Sequence, residues 1–363
     1  MIKKCSWIDT SVVIDAQGFM KPCCNMGGSA LINKMKSTKD IHIDDIDSIN
    51  DNYFYNDFLS YLRKSLQKNG IKGTRECENC KLQLDKFVIS HWERGERILQ
   101  RFIPDGTIKF LEITTSNICN QTCITCSSYF SSKWETIEHL FENAGGQNHV
   151  THGSKKYNLS DDGLKKIFDV LPNLEILLLK GGEPFSDLRN LKILEELAIV
   201  NPTCEVWITT NASIISKKFL DVLSKLPKIS INASLDHIGK KYEWIRSTSF
   251  EQTLQTIQRL YEHTGSKCRV GPTFSYFNIL DLKEIADFYK EFEYTTWAHP
   301  WGLKEHNLVH FPLEMDFINT RTQQELDTLN LGLISKFNPD MHKKLMDKIE
   351  IMNGIRGFRW QDC

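Results

Sequence analysis

Ile118-Cys119-Asn120-Gln121-Thr122-Cys123-Ile124-Thr125-Cys126 decides how this chain is read. Three thiolates spaced CxxxCxxC on one tight loop can each ligate one iron of a cubane [4Fe–4S] cluster, and no fourth cysteine follows nearby. One iron is then left without a protein ligand. An open iron is a place for a chelating small molecule, so the spacing points to chemistry rather than to electron storage.

Outward from the loop, Ile108 to Thr115 is an apolar, β-favouring run that predicts a strand ending at the cysteines. Downstream, Leu174 to Lys180 is a near-continuous apolar run suited to a buried parallel strand, and it ends in Gly181-Gly182-Glu183-Pro184. Glu205–Asn211 and Lys228–Asp236 predict third and fourth strands, each followed by a helical pattern. Arg269–Tyr276 and Tyr294–Ala298 predict a fifth and a sixth. Helices are predicted near Ser131–Asn143, along Leu254, Ile257 and Tyr261, and along Leu282, Ile285, Ala286 and Tyr289. The polar stretch Gly145–Lys156 reads as an excursion over the site.

The cysteine loop after a first strand, with GGEP after the second, resembles the radical S-adenosylmethionine (SAM) superfamily. The resemblance implies an α/β fold, a partial (β/α)6 TIM-like barrel over residues 107–301, with its site at the C-terminal strand ends. It implies a [4Fe–4S] cluster on Cys119, Cys123 and Cys126, with SAM chelating the open iron. Gly181 and Gly182 would let the backbone approach the methionyl part of SAM, and Glu183 would accept from its amino group. Ser234 or Asp236 would contact ribose or methionine, and Arg246 would pair with the SAM carboxylate. Many family members carry an aromatic residue just before the third cysteine. Thr125 stands there in this chain, so adenine contact falls to Ile124 or to a later residue such as Phe274 or Tyr276.

A second cysteine set lies ahead of that barrel: Cys5, Cys23 and the pair Cys77-Glu78-Asn79-Cys80. Ser11–Ile14 and Phe19–Lys21 flank the turn Asp15–Gly18, which predicts a hairpin. Phe58, Leu59, Leu62 and Leu66 recur at helical spacing. The set resembles the twitch domain, the shortened form of the SPASM domain, placed here over residues 1–100 and ahead of the barrel rather than after it. It implies an auxiliary [4Fe–4S] cluster on Cys5, Cys23, Cys77 and Cys80. Four cysteines with a CxxC half also make structural zinc sites. Cys24 is an alternative to Cys23, because neighbouring residues on a hairpin point to opposite faces.

At 363 residues and 40% hydrophobic content the chain is long enough for two domains, with a helical C-terminal extension over 302–363. A net charge of −1 gives no electrostatic reason to expect nucleic acid or a membrane as partner. Eleven cysteines at metal-ligating spacings, no apolar signal segment and no run of ~18 apolar residues predict a soluble, cytoplasmic protein. Cys204 and Cys268 read as buried small hydrophobes. Cys363 is incidental or a hydrogen donor to a substrate radical, and His299, Trp301 and Glu305 are substrate-binding candidates after the sixth strand.

The resemblance implies a one-electron reductant such as flavodoxin or ferredoxin, and reductive cleavage of SAM to a 5′-deoxyadenosyl radical. The radical would take hydrogen from a peptide, a protein side chain or a small molecule. A fully ligated auxiliary cluster favours net oxidation or cross-linking. A redox-neutral epimerase or rearrangement enzyme, a non-catalytic Fe–S electron carrier and a zinc-stabilised binding module are the alternatives. The segment before Cys5 leaves no room for a leader-peptide-recognition domain, which weighs against a ribosomal peptide substrate.

Overall fold

Apolar runs punctuated by glycine and polar turns become strands in the computed structural model, most of them shorter than the run. The structure describes residues 4–15, 17–24, 26, 41–53, 56–77, 80, 91–142, 158–272, 277–278, 281–297 and 339–363. The excursion 145–156 and the candidates Phe274, Tyr276, His299, Trp301 and Glu305 lie outside these residues.

Two units are formed. The first comprises Met1–Ser116, Ser154–Ile208 and Asp221–Ile229. It holds α1 (Ser6–Thr10), β1 (Ser11–Ile14), β2 (Met20–Lys21), α2 (Asp57–Gly73), α3 (His91–Leu99), β3 (Phe110–Ile113), α4 (Asp161–Val170), β4 (Ile176–Leu179), α5 (Leu188–Val200) and the start of β5 (Glu205–Thr210). The predicted hairpin forms, with Val13 opposite Lys21. Its turn closes because Asp15 Oδ1 accepts from the Gln17 and Phe19 N–H groups, and because Gly18 takes a φ of 82° that a side chain would oppose. β1 also pairs in parallel with β3, Ser11 opposite Phe110 through Ile14 opposite Ile113. The boundary read at residues 101–106 therefore runs within this unit. β3 pairs with β4, and β4 with β5, both in parallel. Leu111, Ile113, Leu177, Leu179, Val206 and Ile208 share one face and are all buried, each worth about 1.5–3 kcal/mol of apolar burial. In α2 the four predicted apolar positions, Phe58, Leu59, Leu62 and Leu66, are buried together with Gly70 and Ile71, and Asn56 Oδ1 caps the helix by accepting from Leu59 N–H.

The second unit comprises Asn117–Gly153, Thr209–Leu220 and Ser230–Cys363. It holds most of β6 (Ile229–Ala233), then α6 (Gly239–Arg246), α7 (Phe250–Thr264), β7 (Cys268–Val270), α8 (Leu282–Lys290), β8 (Thr295–Trp297) and α9 (Pro339–Arg356). β6, β7 and β8 pair in parallel. The chain is thus α/β with mostly parallel strands. Ser249 caps α7 and Gly265, at φ 66°, ends it. Cys204 in the first unit and Cys268 in the second are buried, as apolar residues would be.

The single helix expected near Ser131–Asn143 does not form. Its place is taken by a 3-10 turn over Ser132–Thr136 and a short helix, His139–Glu142. Competing bonds to the cysteine loop are the reason: Ser131 Oγ donates to Gln121 O at 2.6 Å, Ser132 N–H to Asn117 O at 2.7 Å, and Trp134 Nε1 to Cys123 O at 2.8 Å. Among the described residues no helix is long and apolar enough to cross a membrane.

In the first unit α3 lies tight against α1. Ser6 N–H donates to Glu96 Oε1 at 2.9 Å, and a Cβ on Gly95 would lie 1.9 Å from Trp7 Nε1. Trp7 is itself wedged edge-on against Phe110, ring centroids 5.1 Å apart. Gly95→Ala should therefore destabilise the protein by about 1–3 kcal/mol, seen as a lowered urea midpoint with an unchanged slope.

Candidate metal centres

The CxxxCxxC loop is fastened at several points within the second unit. Asn211, just past β5, donates from Nδ2 to Cys119 Sγ at 3.8 Å and to Asn120 Oδ1 at 2.9 Å. Asn120 Nδ2 in turn donates to Ser213 Oγ at 2.8 Å. The end of α6 supplies two more ties: Ile124 N–H donates to Ile245 O at 3.0 Å, and Thr122 N–H to Ser247 Oγ at 2.8 Å. Ser247 is a left-handed cap with φ 59°, a conformation that costs a non-glycine residue about 1–2 kcal/mol. From α9, Arg356 donates to Thr122 Oγ1 at 2.9 Å, to Thr122 O at 2.5 Å and to Trp244 O at 2.9 Å.

Cys123 is buried, while Cys119 and Cys126 are half-buried. Arg246 donates from Nη1 to Cys123 Sγ at 3.7 Å, and its Nη2 pairs with Asp236 Oδ2 at 2.6 Å. Burial pushes the Cys123 thiol up, and the Arg246 charge opposes it. Burial, followed by the nearby Cys123, pushes Cys126 up to about 12. Burial works against the Arg246 charge too, but Asp236 and Cys123 overcome it and its pKa is raised. Thiols this hard to ionise alone become ligands when a metal takes the proton's place. Hydrogen-bond donors on Cys119 and Cys123 suit anionic sulfur, so the residues fit a three-thiolate cluster site.

The structure brings Arg246 and Asp236 to the cysteine loop, as a pair with each other. Two guanidinium nitrogens are engaged in this way, and the buried Nε has no hydrogen-bond partner among the described residues. Ser234 is half-buried at the end of β6, its N–H donating to Thr210 O. Ile124, offered as an adenine contact, is instead 2% exposed in an apolar cluster with Trp134, Phe141, Trp244, Ile245, Ile349 and Met352. Thr125 beside it is exposed.

In the first unit the GGEP segment is a turn that only glycine takes easily. Gly181 and Gly182 have φ of 80° and 50°, and a Cβ on Gly181 would lie 2.1 Å from Thr114 Cγ2. Glu183 is buried, and its Oε1 accepts from Phe185 N–H at 3.1 Å. Asp187 Oδ2 accepts from Thr115 Oγ1 at 2.8 Å and Ser116 Oγ at 2.6 Å, which ties the turn to the end of β3. Burial would raise the Asp187 pKa, but the bonds from Arg189 and Ser116 hold it below the usual carboxylate range. Just before the glycines, Lys180 pairs with Glu112, a carboxylate only 3% exposed in β3.

Also in the first unit, Cys5, Cys23, Cys77 and Cys80 line one cavity with Trp7, Met26 and Ile71. It encloses ≈ 370 Å³, open solvent at its mouth included. Cys24 is exposed and is not part of this lining. Burial drives Cys23 well above the ordinary thiol value, with Cys5 next in effect. Cys77 is raised to about 12 by burial and by Cys80. Among the described residues no group of three or more His, Cys, Asp or Glu stands ready to hold a single metal ion.

Sequence reasoning missed Asn211, Ser247, Arg356 and the Glu112–Lys180 pair. Glu112 was findable as a carboxylate inside an apolar strand run, and Asn211 as the polar end of another. Ser247 and Arg356 carry no local signal, since their roles depend on contacts with residues more than a hundred positions away.

Residues 113–289 match the family model of the Radical SAM superfamily. A curated relative, the radical SAM cyclopropyl synthase TigE of Paramaledivibacter caminithermalis, is 23% identical over 211 residues, which cover 55% of this chain and 43% of that protein. The match therefore spans less than half the length of this relative. Among solved structures, Streptococcus suis SuiB bound to S-adenosylmethionine is similar with a TM-score of 0.38 and 17% identity, over 67% of this chain and 59% of that one. Native anSMEcpe with bound AdoMet is similar with a TM-score of 0.40 and 15% identity, over 53% of this chain and 51% of that one.

Truncating one partner of the Asp236–Arg246 pair leaves a buried charge without compensation. Asp236→Ala should cost about 3–5 kcal/mol in urea unfolding, and adding Arg246→Met should recover much of that loss.

Proposed function

We propose that the radical SAM domain of residues 113–289 holds a [4Fe–4S] cluster on Cys119, Cys123 and Cys126 and cleaves SAM reductively. One observation carries this reading: the three cysteines sit on one fastened loop, with Arg246 donating to Cys123 Sγ and Asn211 to Cys119 Sγ. When bound, the cluster would supply to SAM one electron taken from a flavodoxin- or ferredoxin-type donor, for reductive cleavage to methionine and a 5′-deoxyadenosyl radical that would take a hydrogen atom from substrate.

The chain's own residues hold and orient. Gly181 and Gly182 would let the backbone approach the methionyl part of SAM, and Glu183 would accept from its amino group. Ser234 or Asp236 contacts ribose or methionine. Arg246 reaches the SAM carboxylate through its one unpartnered nitrogen, while Asp236 and Cys123 keep the guanidinium in place.

The finer proposal concerns the second cysteine set. A cavity lined by Cys5, Cys23, Cys77 and Cys80 supports an auxiliary [4Fe–4S] cluster in a twitch-like module over residues 1–100, ahead of a partial (β/α)6 barrel. With four protein ligands it would have no open iron, and it would take up the electron that the substrate radical loses. Loss of one hydrogen atom and one further electron makes the reaction a net oxidation or cross-linking, on a peptide, a protein side chain or a small molecule, in a reducing cytoplasmic setting.

The experiment is anaerobic incubation of reconstituted protein with SAM and dithionite, followed by mass spectrometry for 5′-deoxyadenosine. Changing Cys119, Cys123 and Cys126 together to Ala should abolish this product, and unchanged production would overturn the assignment. The same triple variant should retain about four irons and four sulfides per chain on the remaining cysteines; zinc without sulfide would make the N-terminal site structural. Cys77→Ala should still cleave SAM but give little oxidised product. Full product formation in that variant would favour a redox-neutral reaction.

A further inference from the structure

Two guanidinium groups face Cys123, and they differ in what neutralises them. Arg246 is paired with Asp236 at 2.6 Å, so part of the charge it offers the loop is cancelled. Arg356, from the last turn of α9, makes its three bonds to neutral oxygens: Thr122 Oγ1, Thr122 O and Trp244 O. It forms no ion pair with a carboxylate among the described residues. A half-buried guanidinium without a counter-ion is costly unless an anion arrives. The thiolates of a ligated cluster are such anions, and each electron added to the cluster makes the site more negative.

The helix that carries Arg356 is docked by other contacts. Ile349 and Met352 are fully buried in the apolar cluster around Trp244, Trp244 Nε1 donates to Asn353 Oδ1 at 3.0 Å, and the Trp360 ring lies 5.2 Å from that of Trp244. Arg356 is therefore not needed to hold α9 in place, and its fork is directed at the segment between the first and second cysteines. A second cation, Lys348, lies about two helix turns earlier in α9, its Nζ 5.2 Å from the Trp134 ring centroid.

We propose that Arg356 is a positioning residue for the cluster on Cys119, Cys123 and Cys126: it clamps the loop at Thr122 and supplies the uncancelled positive charge that favours the reduced cluster. This inference rests on the reading that the loop ligates a cluster. The clamp depends on the planar fork, which makes several bonds at fixed angles. The electrostatic part depends on charge alone, acting at short range in a partly desolvated site where it is weakly screened. The two parts can be separated by substitution.

The test is an EPR-monitored redox titration, with iron content measured after gel filtration, in a chain carrying Cys77→Ser and Cys80→Ser so that one centre remains. Arg356→Met should move the midpoint potential to a more negative value and lower iron retention. Arg356→Lys keeps the charge and loses the fork, so it should restore most of the potential but not the retention. Arg356→Gln keeps an amide donor without the charge, and carries the potential measurement should Arg356→Met fail to hold iron. A potential unchanged or raised in a loaded Met or Gln variant overturns the proposal. Absence of iron with Arg356 intact would instead remove the cluster reading itself, and the proposal with it.

Discussion

Arg246 is held between an acid and a sulfur. Its guanidinium joins Asp236, three residues past β6, to Cys123 on the cysteine loop; Asp236 and Cys123 are buried and the Arg246 side chain is 12% exposed. Each would be costly alone: a carboxylate, a cation and a thiol that burial pushes up. Together they are tolerable, and the arrangement requires α6 to end where it does. The chain turns at Ser247, and that left-handed cap places a hydroxyl where Thr122 N–H can reach it. The loop's shape thus follows from the need to compensate one buried charge, more than from the cysteines, which have no metal-independent reason to converge.

Much of this organisation was legible in the chain. The parallel strands were visible because strands covered on both faces must be apolar throughout, and Leu174–Lys180 could not be much else. GGEP was legible as a turn because consecutive glycines permit positive φ, and both take it. The hairpin at Asp15–Gly18 was legible for the same reason, with an aspartate side chain bonding to backbone nearby. What could not be read locally was where long-range bonds override local preference. Ser131–Asn143 has a helical pattern, but Ser131, Ser132 and Trp134 bond to the cysteine loop instead. Ile124 is an apolar residue beside two ligand candidates, and nothing in its sequence neighbours says that α9 will cover it.

The two cysteine sets contrast in their surroundings. Around Cys119, Cys123 and Cys126 the structure supplies donors and cations, which lower the cost of anionic sulfur and leave the site responsive to charge. Around Cys5, Cys23, Cys77 and Cys80 the lining is mostly apolar, with Trp7, Ile8, Pro22, Met26 and Ile71, and burial is the principal influence on the Cys5, Cys23 and Cys77 thiols. A centre held there would sit against mostly apolar side chains. Under the proposed reading, one set is built to bind and react, the other to store.

The parallel pairing of β1 with β3 bears on how the chain can be divided. A protein shortened to begin near residue 107 would retain every cysteine of the CxxxCxxC loop, but it would strip β3 of its neighbour. The backbone groups of Phe110 to Ile113 that now bond to Ser11–Ile14 would then form a bare apolar edge, of the kind that recruits other strands and aggregates. Insolubility of such a fragment would reflect that exposed edge, and would say nothing against the chemistry of the residues it still carries.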